Sequence, residues 1–337
     1  MHAELVLPAL LPRGNETPYP AMPALELLLA RGRRALDERR SYEQWIGEAC
    51  GLGEDDALPA GALTLLAEGG APGDAVWMRA DPVHLRLGRT DLTVVPAAAF
   101  ALDSQEAASL AETLNVHFAT EFELHPVRAK HWCMRIDAAP RLSTRPTAEV
   151  AGGDVDTNLP QGEDAKHWHA LMNEIQMLLH RHPVNEARQA RGVPEVNSVW
   201  FWGAGKLPGK VADFRWRSVT ADDPLARGLA LHAGRSAQLL PASAEAWLAQ
   251  QPAEGRHLVV LDALRLPFAM GDTTGWSAAL AELETRWFAP LLGALRAGRI
   301  GMFTLHALDG REALSVETVR GDLRRFWRRA KPLSAYC

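Results

Sequence analysis

The chain has 337 residues, of which 47% are hydrophobic and 23% are charged, and its formal net charge is −5. This length accommodates two domains, and cores of this size need neither a disulfide nor a metal ion to hold them. The acidic net charge argues against nucleic acids and anionic membranes as partners. Three widely spaced cysteines, Cys50, Cys133 and Cys337, argue against a disulfide framework. No apolar run approaches the roughly 20 residues that span a bilayer, so we expect a cytoplasmic protein.

Apolar runs and turn residues predict the elements of the first half of the chain. Residues 4–11 read ELVLPALL, which is typical of a short buried strand. Asp103 and Glu106 have the spacing of a capping box, which predicts the start of a helix. The other predicted segments are a helix over 22–35, strands over 74–87, 91–96, 122–126 and 130–136, a long loop over 138–161 and a helix over 168–179 that Pro183 ends.

Three apolar runs of buried-strand length mark the C-terminal half, at residues 196–202, 257–266 and 299–306. Between the last two, apolar residues at helical spacing predict a helix over 276–295. Buried strands that alternate with helices indicate an α/β protein with a mostly parallel sheet covered by helices on both faces. Ligands bind beyond the carboxyl ends of the strands in such sheets. We therefore expect the site in the loops after Leu11, Trp202, Leu266 and His306.

The predicted core domain consists of residues 1–79 and 184–337, and residues 80–183 form a smaller inserted α+β domain. The C-terminal residues Arg324 to Lys331 are locally basic around Phe326 and Trp327. This run predicts the end of an amphipathic helix whose charged face is solvated rather than a binding patch.

Residues 159–206 carry a series of motifs at defined spacing. The residues are Leu159, Pro160 and Gly162, then His182, Pro183, Asn185 and Arg188, then Asn197, Trp202, Gly203, Gly205 and Lys206. In order, spacing and type they resemble the Leu-Pro-x-Gly loop, the His-Pro-x-Asn-x-x-Arg segment and the Trp-Gly-x-Gly-Lys strand end of archaeal-type cofactor-independent phosphoglycerate mutases. The segments PALELLLARG, APGDAVWMRADPVHL and LDSQEAASLAETL resemble this family more weakly. The layout also resembles a degenerate bacterial branch named after a regulator of pathogenicity factors.

The resemblance implies an alkaline-phosphatase-like core and a reaction that uses an alkoxide nucleophile and two divalent cations. Two-metal sites of this kind clamp the attacking and leaving oxygens with carboxylate and imidazole ligands. The family pattern implies an Asp after the first strand, a Ser or Thr before the next helix, an Asp-x-x-Gly-His cluster, a final Asp-His pair and a Pro-His-Asp loop.

None of these five patterns is intact in this sequence. No carboxylate follows the first strand before Glu16, and Met22 stands at the nucleophile position before Pro23. The remaining positions hold Phe268 and Asp272, then Leu305 before His306, and Pro146-Thr147-Ala148. Asp272 and His306 could hold one metal ion, Mn or Zn, together with His257 or Asp262. The favoured interpretation is that Asp272 caps a helix and that no metal or other cofactor is bound.

The Trp-Gly-x-Gly-Lys strand end survives, and it predicts a pocket for a small anion. Glycine backbone N–H groups can approach a phosphate or carboxylate, and Lys206 adds a charge. The tentative ligand-binding residues are Asn185, Arg188, Asn197, Gly203, Gly205 and Lys206. Equally, the glycines could serve a turn while both asparagines bond loop backbone.

The leading hypothesis is a catalytically degenerate, regulatory relative of the mutases that binds a small phosphorylated or carboxylate ligand or a protein partner. The alternative is an active metal-dependent phosphomutase or phosphohydrolase with rearranged ligands. A third possibility is a structural interaction protein, which an exposed tryptophan-rich patch would support.

Overall fold

The structure is a computed structural model that describes residues 1–11, 19–37, 41–52, 58–88, 91–209, 211, 214–308 and 313–336. Its strands are β1 His2–Pro8, β2 Arg33–Asp37, β3 Val76–Leu87, β4 Leu92–Pro96, β5 Glu123–Arg128, β6 His131–Ile136, β7 Leu142–Ser143, β8 Gln161–Gly162, β9 Ser198–Gly205, β10 Ser218–Thr220, β11 Ser236–Gln238, β12 Arg256–Val260, β13 Met302–Leu308 and β14 Ala313–Val319.

The described ranges also contain α-helices. They are α1 Pro23–Arg31, α2 Tyr42–Ala49, α3 Ala60–Ala67, α4 Ser104–His117, α5 Thr147–Val150, α6 Ala165–His180, α7 Pro183–Ala190, α8 Pro224–His232, α9 Ala244–Gln250, α10 Arg265–Ala269, α11 Thr273–Leu283 and α12 Ala289–Ala297. Within these ranges, none of the helices is long and apolar enough to cross a membrane.

The chain divides into two compact units with boundaries that differ from the predicted ones. The first unit is Met1–Glu54 with Val211–Cys337, and the second unit is Asp55–Lys210. The predicted boundary between residues 79 and 80 falls inside β3. This strand pairs with β6 through its first half and with β4 through its second half, so it cannot be cut there.

The first unit is built on a seven-stranded sheet with the order β11-β10-β12-β1-β13-β14-β2. The five strands from β11 to β13 are parallel, and β14 and β2 add an antiparallel edge. The α/β class with a large, mostly parallel sheet is therefore confirmed. Parallel strands place their carboxyl ends at one common edge, where a ligand site is expected.

The two faces of this sheet differ in chemistry because side chains alternate along each strand. Leu5, Leu7, Phe303 and Leu305 pack with the helices α1, α9, α11 and α12 in one apolar core. Glu4, the residue before Leu5, points to the other face, where Trp45 of α2 also packs. The sheet thus has helices on both faces, and one of its faces carries a buried charge.

The second unit contains a sheet with the order β4-β3-β6-β5, and β9 pairs antiparallel with β3. The prediction that residues 196–202 join the parallel sheet of the core is therefore wrong. Their apolar run does form a strand, but an apolar run alone does not reveal which sheet a strand joins. The capping box of Asp103 and Glu106 is confirmed at the start of α4.

Two predicted helices differ from the structure, one in its middle and the other over its whole length. The helix predicted over 276–295 consists of α11, a π-helical turn at Glu284–Phe288 and α12. Pro290 lies in the first turn of α12 and has no backbone N–H, so the regular hydrogen-bond ladder is interrupted there. The basic run near the C-terminus forms a short 3₁₀ turn at Asp322–Arg324 and then irregular chain.

The glycine at the start of α3 controls how closely this helix approaches β3. A Cβ atom on Gly61 would lie 2.4 Å from the backbone nitrogen of Met78. We predict that Gly61→Ala lowers the free energy of unfolding by about 1–3 kcal/mol through overpacking. Urea denaturation measures this change.

The matched control is Gly293→Ala in α12, where no atom lies within 4 Å of the new Cβ. This control should raise the free energy of unfolding by about 0.5–1 kcal/mol because alanine is the better helix former. Equal stabilisation of both variants would contradict the close packing of α3 on β3.

Candidate functional site

The carboxyl edge of the parallel strands in the first unit is the expected place for a ligand. β1 ends there at Pro8 and is followed by Ala9, which has a φ of 61° and is the one non-glycine residue with positive φ among the described residues. Its N–H donates to Leu308 O at 2.8 Å, and its carbonyl accepts from Trp276 Nε1 at 2.9 Å. A left-handed alanine costs roughly 1–2 kcal/mol, and strained backbone of this kind gathers at functional edges.

Ionisable side chains follow β10 and β12 at the same edge, where they contact two residues of α2. We call these residues the edge cluster: Tyr42 and Glu43 of α2, Asp223 after β10, and Asp262 and Arg265 after β12. The Tyr42 hydroxyl donates to Asp223 Oδ2, and Arg265 Nη2 lies 2.7 Å from Glu43 Oε1. The Arg265 guanidinium also lies 4.9 Å from the Tyr42 ring centroid. One cation therefore faces several acidic groups in a small volume.

Burial and neighbouring charge perturb the pKa values in the edge cluster. Burial raises the pKa of Asp262 to about 6, the charge of Asp223 adds to the increase, and Arg265 opposes it. Burial also raises the pKa of Tyr42 well above its usual value, again with a contribution from Asp223. Asp262 is thus a carboxyl group that changes its protonation state near pH 6, which is a property of many functional sites.

A second charged group is buried in the middle of the same sheet. Glu4 has no exposed surface, and both of its carboxylate oxygens are bonded. Oε1 lies 2.9 Å from His306 Nε2 and 3.1 Å from Arg215 Nη2, and Oε2 lies 2.8 Å from Trp216 Nε1 and 2.6 Å from Arg256 Nε. These five residues, the Glu4 network, connect β1, β12, β13 and the segment before β10.

The ionised form of Glu4 is strongly favoured. Burial alone would raise its pKa, but the hydrogen bond and charge of His306, with the charges of Arg215 and Arg256, lower the pKa to about 2. The carboxylate is therefore an anion at neutral pH, and its hydrogen-bonding capacity is used within the protein. It serves the fold and does not present a free ligand for a metal ion.

The predicted ligand-binding residues of α7 have structural bonds. Asn185 has no exposed surface, and its side-chain amide bonds Leu179 O, Val196 O and Val196 N at 2.8–3.0 Å. Arg188 is 1% exposed and donates to Pro194 O, Glu106 Oε2 and Ala101 O.

The predicted residues of β9 and its flanks have similar structural duties. The amide of Asn197 bonds both Leu85 N and Leu85 O, at 2.7 and 3.0 Å. Gly203 has a φ of 64°, and a Cβ there would lie 2.4 Å from Ala60 Cβ, so glycine is needed for the approach of α3. A Cβ on Gly205 would likewise lie 3.0 Å from Pro59 Cβ. Lys206 is the member of the predicted set whose side chain is exposed.

The candidate metal ligands are also engaged elsewhere. Asp272 caps α11, because its Oδ1 accepts the Gly275 N–H at 2.8 Å. His306 lies between Glu4 and Ser315, whose Oγ is 2.9 Å from His306 Nδ1. His257 is the second residue of β12, whereas Asp262 follows the end of that strand, about 16 Å away at the usual rise per residue. Among the described residues, no three His, Cys, Asp or Glu side chains are arranged to hold a metal ion.

The positions that the family resemblance assigns to catalysis have other roles. Met22 and Leu305 are completely buried in the apolar core of the first unit. Thr147 donates from its hydroxyl to Asp81 Oδ2 at 2.5 Å, inside the second unit. Phe268 is 44% exposed on α10. Glu16 lies outside the described residues.

Another change from the expected pattern lies at the start of α1, which sequence reasoning missed. Glu284, in the π-helical turn, is 6% exposed and accepts the Ala24 N–H at 2.6 Å and the Leu25 N–H at 3.2 Å. Free N–H groups at a helix N-terminus form a ready anion site. Here an internal carboxylate occupies that site, directly after the position of Met22.

The Glu4 network predicts a specific dependence of stability on acid. Because the folded pKa of Glu4, about 2, is below the usual glutamate value of 4.5, this group contributes stability above pH 4.5 and loses that contribution as the pH falls towards 2. We predict that Glu4→Gln lowers the free energy of unfolding at pH 7 by about 3 kcal/mol. The free energy of unfolding of this variant should also fall less between pH 4.5 and pH 2. Urea denaturation from pH 7 to pH 2 measures both effects.

The control for this prediction is Glu317→Gln on β14, which is separated from β1 by β13. Glu317 pairs with Arg33, and both side chains are substantially exposed, so its loss should cost less than about 1 kcal/mol. If the free energy of unfolding of Glu4→Gln fell in acid as much as that of the unaltered chain, Glu4 would not be an ion in the folded protein.

Comparison with known proteins gives a partial match. A family model described as 2,3-bisphosphoglycerate-independent phosphoglycerate mutase matches residues 69–185. The probable 2,3-bisphosphoglycerate-independent phosphoglycerate mutase of Geobacter sulfurreducens is 29% identical over 166 residues, which are 47% of this chain and 41% of that protein. The 2,3-bisphosphoglycerate-independent phosphoglycerate mutase of Methanothrix thermoacetophila is 31% identical over 94 residues, 26% of this chain and 24% of that protein. The matched region thus covers less than half the length of either relative.

A solved structure supports the fold over a longer span. The PH0037 protein from Pyrococcus horikoshii superposes with a TM-score of 0.60 over 94% of this chain and 87% of its own, at 13% sequence identity. This likeness concerns the fold alone. The matches in sequence confirm the resemblance that the motifs predicted: the chain is similar to the 2,3-bisphosphoglycerate-independent phosphoglycerate mutases.

Proposed function

We propose that this chain is a catalytically degenerate relative of the phosphoglycerate mutases that has a regulatory, ligand-binding role. The observation that carries the proposal is the Glu284 carboxylate on the first N–H groups of α1. A phosphoryl group that is to be attacked from this helix would need those N–H groups and a nucleophile beside them. The first are occupied by an anion of the chain itself, and the second is replaced by Met22.

The electrostatics at this helix end support the proposal. A carboxylate is stabilised by the positive end of the helix dipole and competes with any external anion for the same N–H groups. Glu284 is nearly buried, and burial raises its pKa although the two backbone hydrogen bonds oppose that change. Displacing it would leave a buried carboxyl group without those bonds, which costs about 1–3 kcal/mol.

The remaining imidazole supports the same conclusion. His306 would have to leave Glu4 and Ser315 to bind a metal ion, which would leave a buried glutamate with one bond fewer. Breaking a buried charged pair typically costs about 3–5 kcal/mol. A two-metal mechanism would therefore have to be assembled at the expense of the central network of the sheet.

The ligand half of the proposal depends on Lys206. Asn185, Arg188 and Asn197 are committed to the backbone or to Glu106, so they offer no free bonding capacity to a phosphate. Lys206 follows β9 directly and is exposed. We propose that a small phosphorylated or carboxylate ligand binds there through this charge, with the adjacent backbone as its support. Alternatively, the chain carries out its regulatory role by binding a protein partner.

One observation favours a second candidate function, an active metal-dependent phosphomutase or phosphohydrolase with rearranged ligands. Asp262 and Asp223 lie close enough at the carboxyl edge for the charge of Asp223 to raise the pKa of Asp262. Carboxylate oxygens are the hard ligands that Mn²⁺ and Mg²⁺ prefer. A cation between Asp223 and Asp262 would also relieve the repulsion between their charges.

An assay with 3-phosphoglycerate separates these two candidates. We predict no conversion to 2-phosphoglycerate and no release of phosphate with Mn²⁺, Zn²⁺ or without metal, measured by ³¹P NMR. Conversion that depends on metal and is lost in Asp262→Asn would contradict degeneracy and favour the second candidate. Conversion that persists in Asp262→Asn would contradict both accounts of the site.

Isothermal titration with 3-phosphoglycerate tests the ligand half. We predict measurable binding that falls about tenfold in Lys206→Gln, because one charge-assisted bond contributes roughly 1.5 kcal/mol. Lys130→Gln, in the turn between β5 and β6, is the matched control and should bind as the unaltered chain does. Equal binding by both variants would show that Lys206 does not contact the anion.

A further inference from the structure

Two adjacent aromatic side chains near the C-terminus are strongly exposed. Phe326 is 77% exposed and Trp327 is 67% exposed, and their rings meet edge to face with centroids 5.2 Å apart. Large apolar side chains that stand together in water mark surfaces that meet an apolar partner. Neither residue is used by the edge cluster or by the Glu4 network.

These aromatic residues lie within a dense run of positive charge. Residues 324–331 read RRFWRRAK, which is five cations and no acidic residue in eight positions. Arg324, Arg328, Arg329 and Lys331 are exposed, and Arg325 is half-buried. We call residues 324–331 the basic aromatic loop. Its charge is opposite in sign to the net charge of the whole chain.

The basic aromatic loop is fixed to the first unit at both ends. Arg325 Nη2 lies 2.7 Å from Asp322 Oδ1, and its Nη1 donates to Arg31 O at 3.2 Å. Arg328 Nη1 donates to Gly32 O at 3.0 Å. Leu333, just beyond the loop, is fully buried in the apolar core. The aromatic pair is therefore presented from an anchored segment, which reduces the entropy lost on binding.

We propose that the basic aromatic loop binds the surface of an anionic lipid bilayer. Aromatic side chains partition into the boundary between headgroups and acyl chains, and arginine and lysine beside them pair with anionic headgroups. The net charge of −5 argued against this partner, but surface charges act over a Debye length of about 8–10 Å, so the local charge decides. An acidic protein offers charge complementarity too, but protein interfaces usually surround an aromatic anchor with a rim of mixed polar groups.

Cosedimentation of the full chain with vesicles tests this proposal. We expect binding to vesicles of equal parts phosphatidylcholine and phosphatidylserine, and no binding to vesicles of phosphatidylcholine alone. In Arg324→Gln/Arg329→Gln/Lys331→Gln the vesicle partition coefficient should fall about 100-fold, since each cation near an anionic surface contributes roughly fivefold. Phe326→Ser/Trp327→Ser should also weaken binding at least tenfold.

The matched control removes three exposed cations elsewhere. Lys130→Gln/Lys166→Gln/Arg235→Gln changes the net charge by the same amount, and Arg235 precedes β11, the edge strand opposite β2. This control should bind vesicles as the unaltered chain does. Circular dichroism should show all three variants folded, since the substituted side chains are exposed.

Three results would overturn the proposal. The first is no binding to the anionic vesicles, and the second is an equal loss of binding in the control variant. The third is full competition by soluble polyglutamate together with unchanged binding of Phe326→Ser/Trp327→Ser, which would identify the loop as a docking surface for an acidic protein. None of these outcomes depends on mutase activity or on Lys206.

Discussion

The stability of the first unit depends on how it pairs a buried carboxylate in its central strand. Glu4 has no exposed surface, so its charge must be balanced within the protein. An unbalanced buried charge would lower the free energy of unfolding by several kcal/mol. Arg215, Arg256 and His306 balance the charge, and Trp216 donates a further hydrogen bond. One face of the sheet is thereby held by an ionic network, while the opposite face is held by an apolar core.

This arrangement is the physical basis of the proposal that the chain is catalytically degenerate. The imidazole that the family resemblance assigns to a metal ion serves the Glu4 network. The first N–H groups of α1 are bonded to Glu284, and Met22, at the position assigned to the nucleophile, is completely buried. What remains available at the carboxyl edge is the edge cluster, in which Asp262 has a pKa of about 6.

The sequence predicted the parts of the fold that local patterns control. The period of the apolar residues located β1, β3, β12 and β13, and the Asp103 capping box located α4. The partner of β9 could not be predicted, because strand pairing depends on contacts between distant segments. The predicted boundary of the second unit differs from the observed one for the same reason: three neighbouring strands pair with β3 along its length.

The candidate site was less predictable than the fold. The motif residues Asn185, Arg188 and Asn197 were recognisable, but a motif does not reveal whether its polar groups face a ligand or the backbone. Glu4 had one available signal, a lone acidic residue within the apolar run ELVLPALL. Glu284 had none, because it meets Ala24 across 260 residues of sequence. Only the tertiary structure brings that carboxylate to the start of α1.

The most direct test of the account is a crystal structure of the chain grown with Mn²⁺ and 3-phosphoglycerate. The account predicts that the Glu284 carboxylate remains on the Ala24 and Leu25 N–H groups, and that no phosphate binds at the start of α1. It also predicts that His306 stays between Glu4 and Ser315. A phosphate on those N–H groups with Glu284 displaced, and manganese bound to Asp262 or His306, would contradict it.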